Sequence, residues 1–381
     1  MIARVLHVVP DLIPYGLERM VATLATMSDR ARFEVSIVSL YSRQPGSLAA
    51  SLEAEGIRVF DLGKRRGLDL RMFERIRRLI AQLRPEVVHT HNYVLRYTLP
   101  ASLLYRTPVL VHTIHNLAER EVDRAGLWLH KIAFRKAVHP VVIAETVAGS
   151  FEKVYRMPRP SLIMNGIDVA RYAAGPDRNA WRQQQGFDAD DLLFVCTARL
   201  YPQKNHRDLL ASFAAGPAQL PSCRLLLAGD GALLSQLRQQ ACDLGISQRV
   251  HFLGRRDDIA EMLAACDVFV LASLWEGNPL SVMEALAAGL PAVVTGAGAI
   301  PELVDSGTHG IVVPPGDVHS LTQAMMRLAN DSHLRRTMSA AAATRAQARF
   351  DAARMVEAYQ SLYGRLLPSA VHGGANACAI S

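Results

Sequence analysis

The chain has 381 residues, half of them hydrophobic and a fifth charged, with a mean hydropathy of +0.11. At ~150 residues per domain this is material for two packed domains, and it excludes long disorder. The net charge is +7, and the surplus is local: residues 1–180 hold 26 Lys and Arg against 17 Asp and Glu, the remainder 16 against 18. An acidic partner is therefore expected at the first half, an anionic membrane surface or a phosphorylated acceptor. Nucleic acid is disfavoured, because the basic stretches lack interleaved aromatics and aromatic residues are 6% of the chain. No apolar run reaches the ~18 residues that span a bilayer, and Val5–Pro10 is broken at Asp11 before a signal-peptide core develops. Cys196, Cys223, Cys242, Cys266 and Cys378 show neither CxxC spacing nor an even count, so neither a disulfide framework nor a zinc motif is read. A cytoplasmic location is expected.

Short β-branched or apolar runs alternate with helix-length amphipathic segments, the pattern of parallel sheets wrapped by helices. Strands are predicted at Arg4–Val9, Glu34–Leu40, Arg58–Phe60, Val87–His89, Val109–Thr113 and Val141–Ala144. They recur at Leu192–Thr197, Arg224–Ala228, Val250–Phe252, Val268–Leu271, Ala292–Thr295 and Gly310–Val313. Two Rossmann-like units of an α/β protein follow, placed at residues 1–170 and 171–349. Asn165–Phe187, with Gly166, Gly175, Pro176 and Gly186, reads as the linker. Past Pro315 the chain reads as helical through Val318–Ala329, Ser332–Arg349 and Ala352–Leu366. The last, within residues 350–367, is expected to pack back on the first domain. Residues 368–381, small and polar with two adjacent glycines, are expected not to order.

The chemistry is densest in WEGNPLSVMEALAAGLPAVVT, residues 275–295. A strand ends at Leu271, a loop with Glu276, Gly277 and Pro279 follows, and a helix begins near Leu280. Helix N-terminal amides just past a strand's carboxyl end form an anion site in open α/β sheets. A diphosphate fits there, cradled by Asn278, Pro279, Leu280 and Ser281. Glu284 follows Glu276 by about two helical turns, so the two carboxylates can address different parts of one long ligand. TARLYPQKNH, residues 197–206, follows a strand and brings Arg199 and Lys204 to the same sheet edge, where fixed cations suit an anionic ligand. LAGDG at 227–231 and HFLGRRDD at 251–258 each close a strand with glycine.

Glu276 and Glu284, embedded in this extended text, resemble the donor-site motif of retaining GT-B glycosyltransferases of family 4, the glycosyl transferases group 1, of the bacterial polysaccharide-biosynthesis type. The resemblance runs from the first strand to the terminal helices and is most specific between Arg199 and Glu302. It implies two Rossmann-like domains facing a central cleft, the first binding the acceptor and the second the nucleotide sugar. It further implies a hexosyltransferase moving a sugar from a UDP- or GDP-linked donor to a saccharide or polyprenyl-linked saccharide, in exopolysaccharide, capsule or lipopolysaccharide assembly. By the resemblance, Arg199 and Lys204 neutralise the leaving diphosphate, Glu276 positions the sugar and Glu284 holds the ribose hydroxyls. Leu253 and Gly254 seat the nucleobase through backbone groups. Retention follows the front-face route, in which the leaving phosphate helps deprotonate the acceptor and no side chain is a nucleophile. No cofactor and no metal is expected, Asp257-Asp258 being the nearest approach to a DxD-like motif.

Some residues depart from the pattern. In PYGLERM, residues 14–20, Tyr15 stands where the family commonly has the first of two glycines; Gly16 still lets backbone approach the donor phosphate or acceptor, and Glu18 reads as a helix-start residue. Gly298-Ala299 replaces a frequent glycine pair. His89, His91, His112 and His115 crowd two predicted strand ends, but no Cys or carboxylate is spaced to complete a zinc set. The resemblance makes His115, with Asn116 beside it, a contact to the donor sugar; His89 and His112 read as hydrogen-bonded sheet residues. In residues 64–85, Met72, Phe73, Ile76, Leu79, Ile80 and Leu83 share one helical face, with Arg71, Arg75 and Arg78 opposite. With Lys64, Arg65 and Arg66 these arginines suit electrostatic adhesion, without insertion, to anionic lipid on the inner face of the cytoplasmic membrane. Two other functions fit the same fold: a nucleotide-sugar epimerase, which needs no acceptor, and a non-catalytic sugar-nucleotide-binding scaffold, against which the complete donor-site set weighs.

Overall fold

The computed structural model describes residues 2–173 and 177–368. They fall into two compact units, one of residues 2–165 with 352–368, the other of the described residues within 166–351. The first is built on seven strands: β1 (Ala3–Val9), β2 (Phe33–Ser39), β3 (Arg58–Asp61), β4 (Val87–His91), β5 (Val109–Ile114), β6 (His139–Val142) and β7 (Ser161–Leu162). Their order is β3-β2-β1-β4-β5-β6-β7, and every pair is parallel. β1, β4 and β5 are almost wholly buried, as strands covered by helices on both faces must be. β6 begins two residues before its predicted start and includes Pro140, because β7 reaches only Val141 and Val142. At Pro140 the strand is therefore an edge on that side, where a missing N–H costs nothing.

The second unit has six parallel strands: β8 (Leu192–Thr197), β9 (Cys223–Ala228), β10 (Val250–Gly254), β11 (Val268–Leu271), β12 (Ala292–Thr295) and β13 (Gly310–Val313), in the order β10-β9-β8-β11-β12-β13. Both sheets start in the middle, run outward to one edge, then resume on the other side of the first strand. Such doubly wound sheets take ligands where the order reverses, beyond the carboxyl ends of the strands. Those points are β1/β4 and β8/β11, and the loops that leave them carry most of the residues singled out above.

The terminal helix Ala352–Leu366 does pack on the first sheet, through hydroxyls as well as apolar surface. Tyr363 Oη lies 2.7 Å from His89 Nδ1, and Tyr359 Oη 3.0 Å from Thr113 Oγ1, all buried. The segment read as a linker is largely folded instead. Val169–Ala173 and Arg178–Gln185 are helices of the second unit, the latter capped by Asp177 and anchored by buried Trp181 and Arg182. The chain passes from the first unit to the second between Asn165 and Gly166 and returns between Asp351 and Ala352. Gly175, Pro176 and the tail from 369 onward lie outside the described residues. Among the described residues, no helix is long and apolar enough to cross a membrane.

Candidate active site

In the second unit the site is assembled from loops that stitch to one another. Beyond β8, Ala198 N donates to Ala228 O at 3.0 Å and Leu200 N to Asp230 O at 2.8 Å, so the Arg199 segment continues the ladder past β9. The glycines of LAGDG make this possible. A Cβ on Gly229 would lie 2.0 Å from Ala198 O, and one on Gly231 2.5 Å from Leu200 O. They read as turn glycines in the sequence, but their task is close approach of backbone to backbone.

The turn Pro202–Lys204 is tied in turn to the loop after β11. Leu274 N donates to Gln203 O at 2.8 Å, and Gln203 Nε2 to Trp275 O at 2.8 Å. Lys204 Nζ thereby reaches Glu276 Oε1 at 2.5 Å, in a pair with little solvent exposure. Ser273 Oγ donates to the same carboxylate oxygen at 2.6 Å, and Thr295 Oγ1 holds the Ser273 carbonyl at 2.6 Å. Against the Glu276 backbone lies Gly298, at φ +57°, where a Cβ would fall 1.8 Å from Glu276 O. Two sequence-predicted residues are thus brought into direct contact, and Gln203, Ser273 and Thr295, which sequence reasoning missed, hold them there.

The helix Leu280–Ala287 follows with Pro279 at its N-cap. Leu280 and Ser281 amides stand in its first turn, where no intrahelical acceptor is available. The predicted four-residue cradle needs one correction: Pro279 has no N–H, so only Asn278, Leu280 and Ser281 can donate, and Pro279 supplies φ alone. Glu284 is buried and its Oε1 accepts from Tyr172 Oη at 2.9 Å. Tyr172, from the segment read as linker, is a partner the sequence did not show. Arg199 is exposed, its guanidinium 5.4 Å from the Tyr201 ring centroid. Leu253 is the extra residue of a bulge, since Phe252 pairs with Leu227 and Gly254 with Ala228, which takes its backbone out of the ladder. The Gly254 carbonyl accepts from Gly229 N at 2.8 Å. Asp258 is held by Arg256 and by Trp181 Nε1 at 3.0 Å.

In the first unit, Gly16 opens the helix Gly16–Thr26 and is exposed, and Glu18 is buried in that helix's first turn. His115 lies just beyond β5, half-buried, its amide donating to Glu121 Oε1 at 3.2 Å while Asn116 N donates to Oε2 at 3.0 Å. Burial pushes the Glu121 carboxyl up to about 8 despite these two amides. Behind His115 runs a chain of rings: His91 Nδ1 is 2.9 Å from His115 Nε2, and His91 Nε2 3.2 Å from His7 Nδ1. His7, on β1, was not singled out in the sequence, though it is a polar residue inside an otherwise apolar strand. His89 is satisfied as expected, by Tyr363 and by Thr113 Oγ1 at 2.7 Å. His112 is only half satisfied: Thr90 Oγ1 lies 2.8 Å from Nδ1, while its buried Nε2 has no hydrogen-bond partner among the described residues. Burial lowers His7 and His115 to about 3 and holds His89, His91 and His112 well below the usual imidazole range, so all five are neutral. His7, His89 and His91 each offer a nitrogen within 4.8 Å of the others, the spacing of a three-ligand metal group.

These two sheets define a fold class, that of the GT-B glycosyltransferases. Residues 14–171 match the family described as Glycosyltransferase Family 4, and residues 177–345 the family described as Glycosyl transferases group 1. The chain belongs to these glycosyltransferases, with one match in each unit. In Escherichia coli, UDP-Gal:alpha-D-GlcNAc-diphosphoundecaprenol alpha-1,3-galactosyltransferase is 28% identical over 280 residues, 70% of this chain and 72% of that one. In Corynebacterium glutamicum, GDP-mannose-dependent monoacylated alpha-(1-6)-phosphatidylinositol monomannoside mannosyltransferase is 35% identical over 188 residues, 46% of this chain and 49% of that one. The fold is similar to Anabaena HepE, crystallised with UDP and glucose, at a TM-score of 0.85 and 23% identity, over 95% of this chain and 100% of that one.

Proposed function

We propose that the chain is a retaining hexosyltransferase that takes its sugar from a UDP- or GDP-linked donor and passes it to a hydroxyl of a saccharide or lipid-linked saccharide. The observation that carries this reading is the Lys204–Glu276 pair, packed at the β8/β11 reversal beside the first turn of Leu280–Ala287. On arrival of a diphosphate, Lys204 exchanges one anion for another, and Glu276, still held by Ser273, is released to accept from sugar hydroxyls. Arg199 adds a second cation, Leu280 and Ser281 add amides, and Glu284 holds the ribose diol with Tyr172 fixing its rotamer. Leu253 offers its bulged backbone to the base, while Gly16 and His115 serve substrate from the first unit. No side chain acts as a nucleophile, and no metal or cofactor takes part. The names of the relatives support a UDP or GDP donor and a lipid-linked acceptor.

A thermal-shift panel of UDP-, GDP-, ADP- and TDP-sugars in chelator, on the wild type and on Lys204→Ala, tests the donor site. At ~100 times Kd, binding adds about 2.7 kcal/mol. A shift with one base class that Lys204→Ala loses supports the reading; no shift with any of them overturns it. Retention is tested by the product anomer: an inverted linkage refutes it.

The lipid surface is proposed for the loop Lys64–Leu70. Lys64 is buried beneath it, donating to Gly67 O at 2.5 Å and Arg65 O at 3.0 Å, with its Nζ 4.9 Å from the Tyr41 ring centroid. Asp69, held by Arg71, accepts from Arg65 N. The loop so braced leaves Leu68 and Leu70 66% and 69% exposed beside exposed Arg65 and Arg66. Much of the helix behind is committed: Met72, Ile76, Leu79, Ile80 and Leu83 are core, and Arg77 and Arg78 pair with Glu74. Shallow entry of the two leucines, with Arg65 and Arg66 at the headgroups, is therefore proposed in place of electrostatic adhesion without insertion. Sedimentation with phosphatidylglycerol but not phosphatidylcholine vesicles, lost on Leu68→Ser/Leu70→Ser, is the expected result; equal sedimentation of the double variant refutes it.

A further inference from the structure

His7, His91 and His115 form a continuous row of imidazoles whose only part with solvent exposure is His115. Burial keeps all three neutral, so each ring carries one proton, three protons for six nitrogens. Each of the two N···N contacts needs one proton and one lone pair. The third proton must then sit at an end of the row, on His7 Nε2 or on His115 Nδ1. Among the described residues, His7 Nε2 is buried with no hydrogen-bond partner. A lone pair there is tolerable, whereas an N–H there is a buried donor left unmade, which disfavours that arrangement on the order of tenfold or more. The proton is therefore at the other end.

We propose that His7 and His91 are positioning residues that fix the tautomer of His115, so that it presents Nδ1–H and acts toward bound substrate as a hydrogen-bond donor and not as a base. His7 Nδ1–H donates to His91 Nε2, His91 Nδ1–H donates to His115 Nε2, and the outer nitrogen of His115 is left with its proton. Two neighbours complete the setting. His89 lies tilted against His91 with centroids 4.2 Å apart but spends both its nitrogens on Tyr363 and Thr113, and Glu121 holds the His115 amide, leaving the ring orientation to His91. The metal-spaced group His7, His89 and His91 shares two rings with this row and is committed already: His89 spends both nitrogens on Tyr363 and Thr113, and the His91 Nε2 lone pair is used by His7. The functional part rests on the reading of His115 as a substrate contact; the tautomer does not.

The full chain labelled with ring-¹⁵N histidine tests the tautomer directly by two-bond ¹H–¹⁵N correlation at neutral pH. Neutral rings with the proton on Nδ1 for His7, His91 and His115 are expected; an Nε2–H or charged His115 overturns the proposal, as does a mole of zinc per mole of purified chain. The consequence is read in release of free nucleotide from the sugar donor that the thermal-shift panel selects. His91→Asn keeps an N–H where Nδ1 was, and is expected to hold kcat/KM within about threefold. His91→Leu, which removes the donor, is expected to lose about tenfold and to shift His115 toward Nε2–H. Equal losses in the two variants mean that His91 only fills space, and overturn the positioning role. The expected tautomer with no loss in His91→Leu leaves the row intact and removes His115 from the substrate contacts.

Discussion

Acidification should unfold the first unit before the second. His7, His89, His91, His112, His115 and His130 are held below the usual imidazole range, chiefly by burial. For a base whose folded pKa is depressed, folded and unfolded states bind equal protons above the unfolded value of about 6.5, and stability falls as the pH drops below it, because only the unfolded chain gains the proton. Between about pH 7.5 and 5.5 each such ring costs about 1.4 kcal/mol, and six cost about 8 kcal/mol. Glu121 works the other way. Its carboxyl, raised to about 8, holds a proton in the folded state that the unfolded chain lacks, which returns roughly 2–3 kcal/mol over the same interval. The net loss of about 6 kcal/mol is comparable with the whole stability of a typical domain. In the second unit His206 is lowered to about 4, with His251 and His309 lowered too, so its loss is smaller. Hydrogen exchange read by mass spectrometry at the two pH values, corrected for intrinsic rates, measures both sheets at once. If peptides from β1, β4 and β5 keep their protection at pH 5.5 to within about 1 kcal/mol, the rings are not neutral in the fold and the reasoning fails.

Gly298→Ala should destabilise the second unit by about 2–4 kcal/mol, from a left-handed alanine and from the backbone shift that a Cβ 1.8 Å from Glu276 O demands. Urea unfolding followed by tryptophan fluorescence in a Trp128→Phe background, which leaves Trp181 and Trp275 of the second unit, checks this, and Glu276 displacement should also weaken nucleotide binding; an unchanged midpoint would falsify the close-packing account. Tyr363→Phe should cost about 1–3 kcal/mol by leaving His89 Nδ1 buried and unbonded, read as a lower midpoint for the first unit. Fluorescence quenching of the wild type by brominated anionic lipid should be seen and should fade at high salt, since only the arginine contribution is screened.

Much of the fold was legible because local chemistry and tertiary role agree. Runs such as Leu192–Thr197 and Val268–Leu271 are apolar on both faces, which only a covered parallel strand tolerates, and their bounds were read to the residue. Ser161–Leu162 was not legible: two residues, half-buried, are a strand only because β6 lies alongside. The segment after Asn165 misled, since its glycines and proline signal turns while the burial of Tyr172 and Trp181 is decided by helices far along the chain. Glu276, Lys204 and Glu284 could be picked out from spacing and from the family resemblance. That Lys204 and Glu276 touch could not, because a contact across 72 residues depends on how Gln203 and Leu274 stitch two loops together.

The sequence by itself determined two Rossmann-like α/β units, the family and the basic first half, all of which are written in local periodicity and short motifs. Tertiary structure alone decided which polar groups meet. It paired Tyr172 with Glu284, set Gly298 against the Glu276 carbonyl and lined up His7, His91 and His115 from three segments far apart in the chain. Strand order is what brings β1 beside β4 and β4 beside β5, and a hydrogen bond, unlike hydrophobic burial, is specified by the position of one partner atom and not by the character of a face.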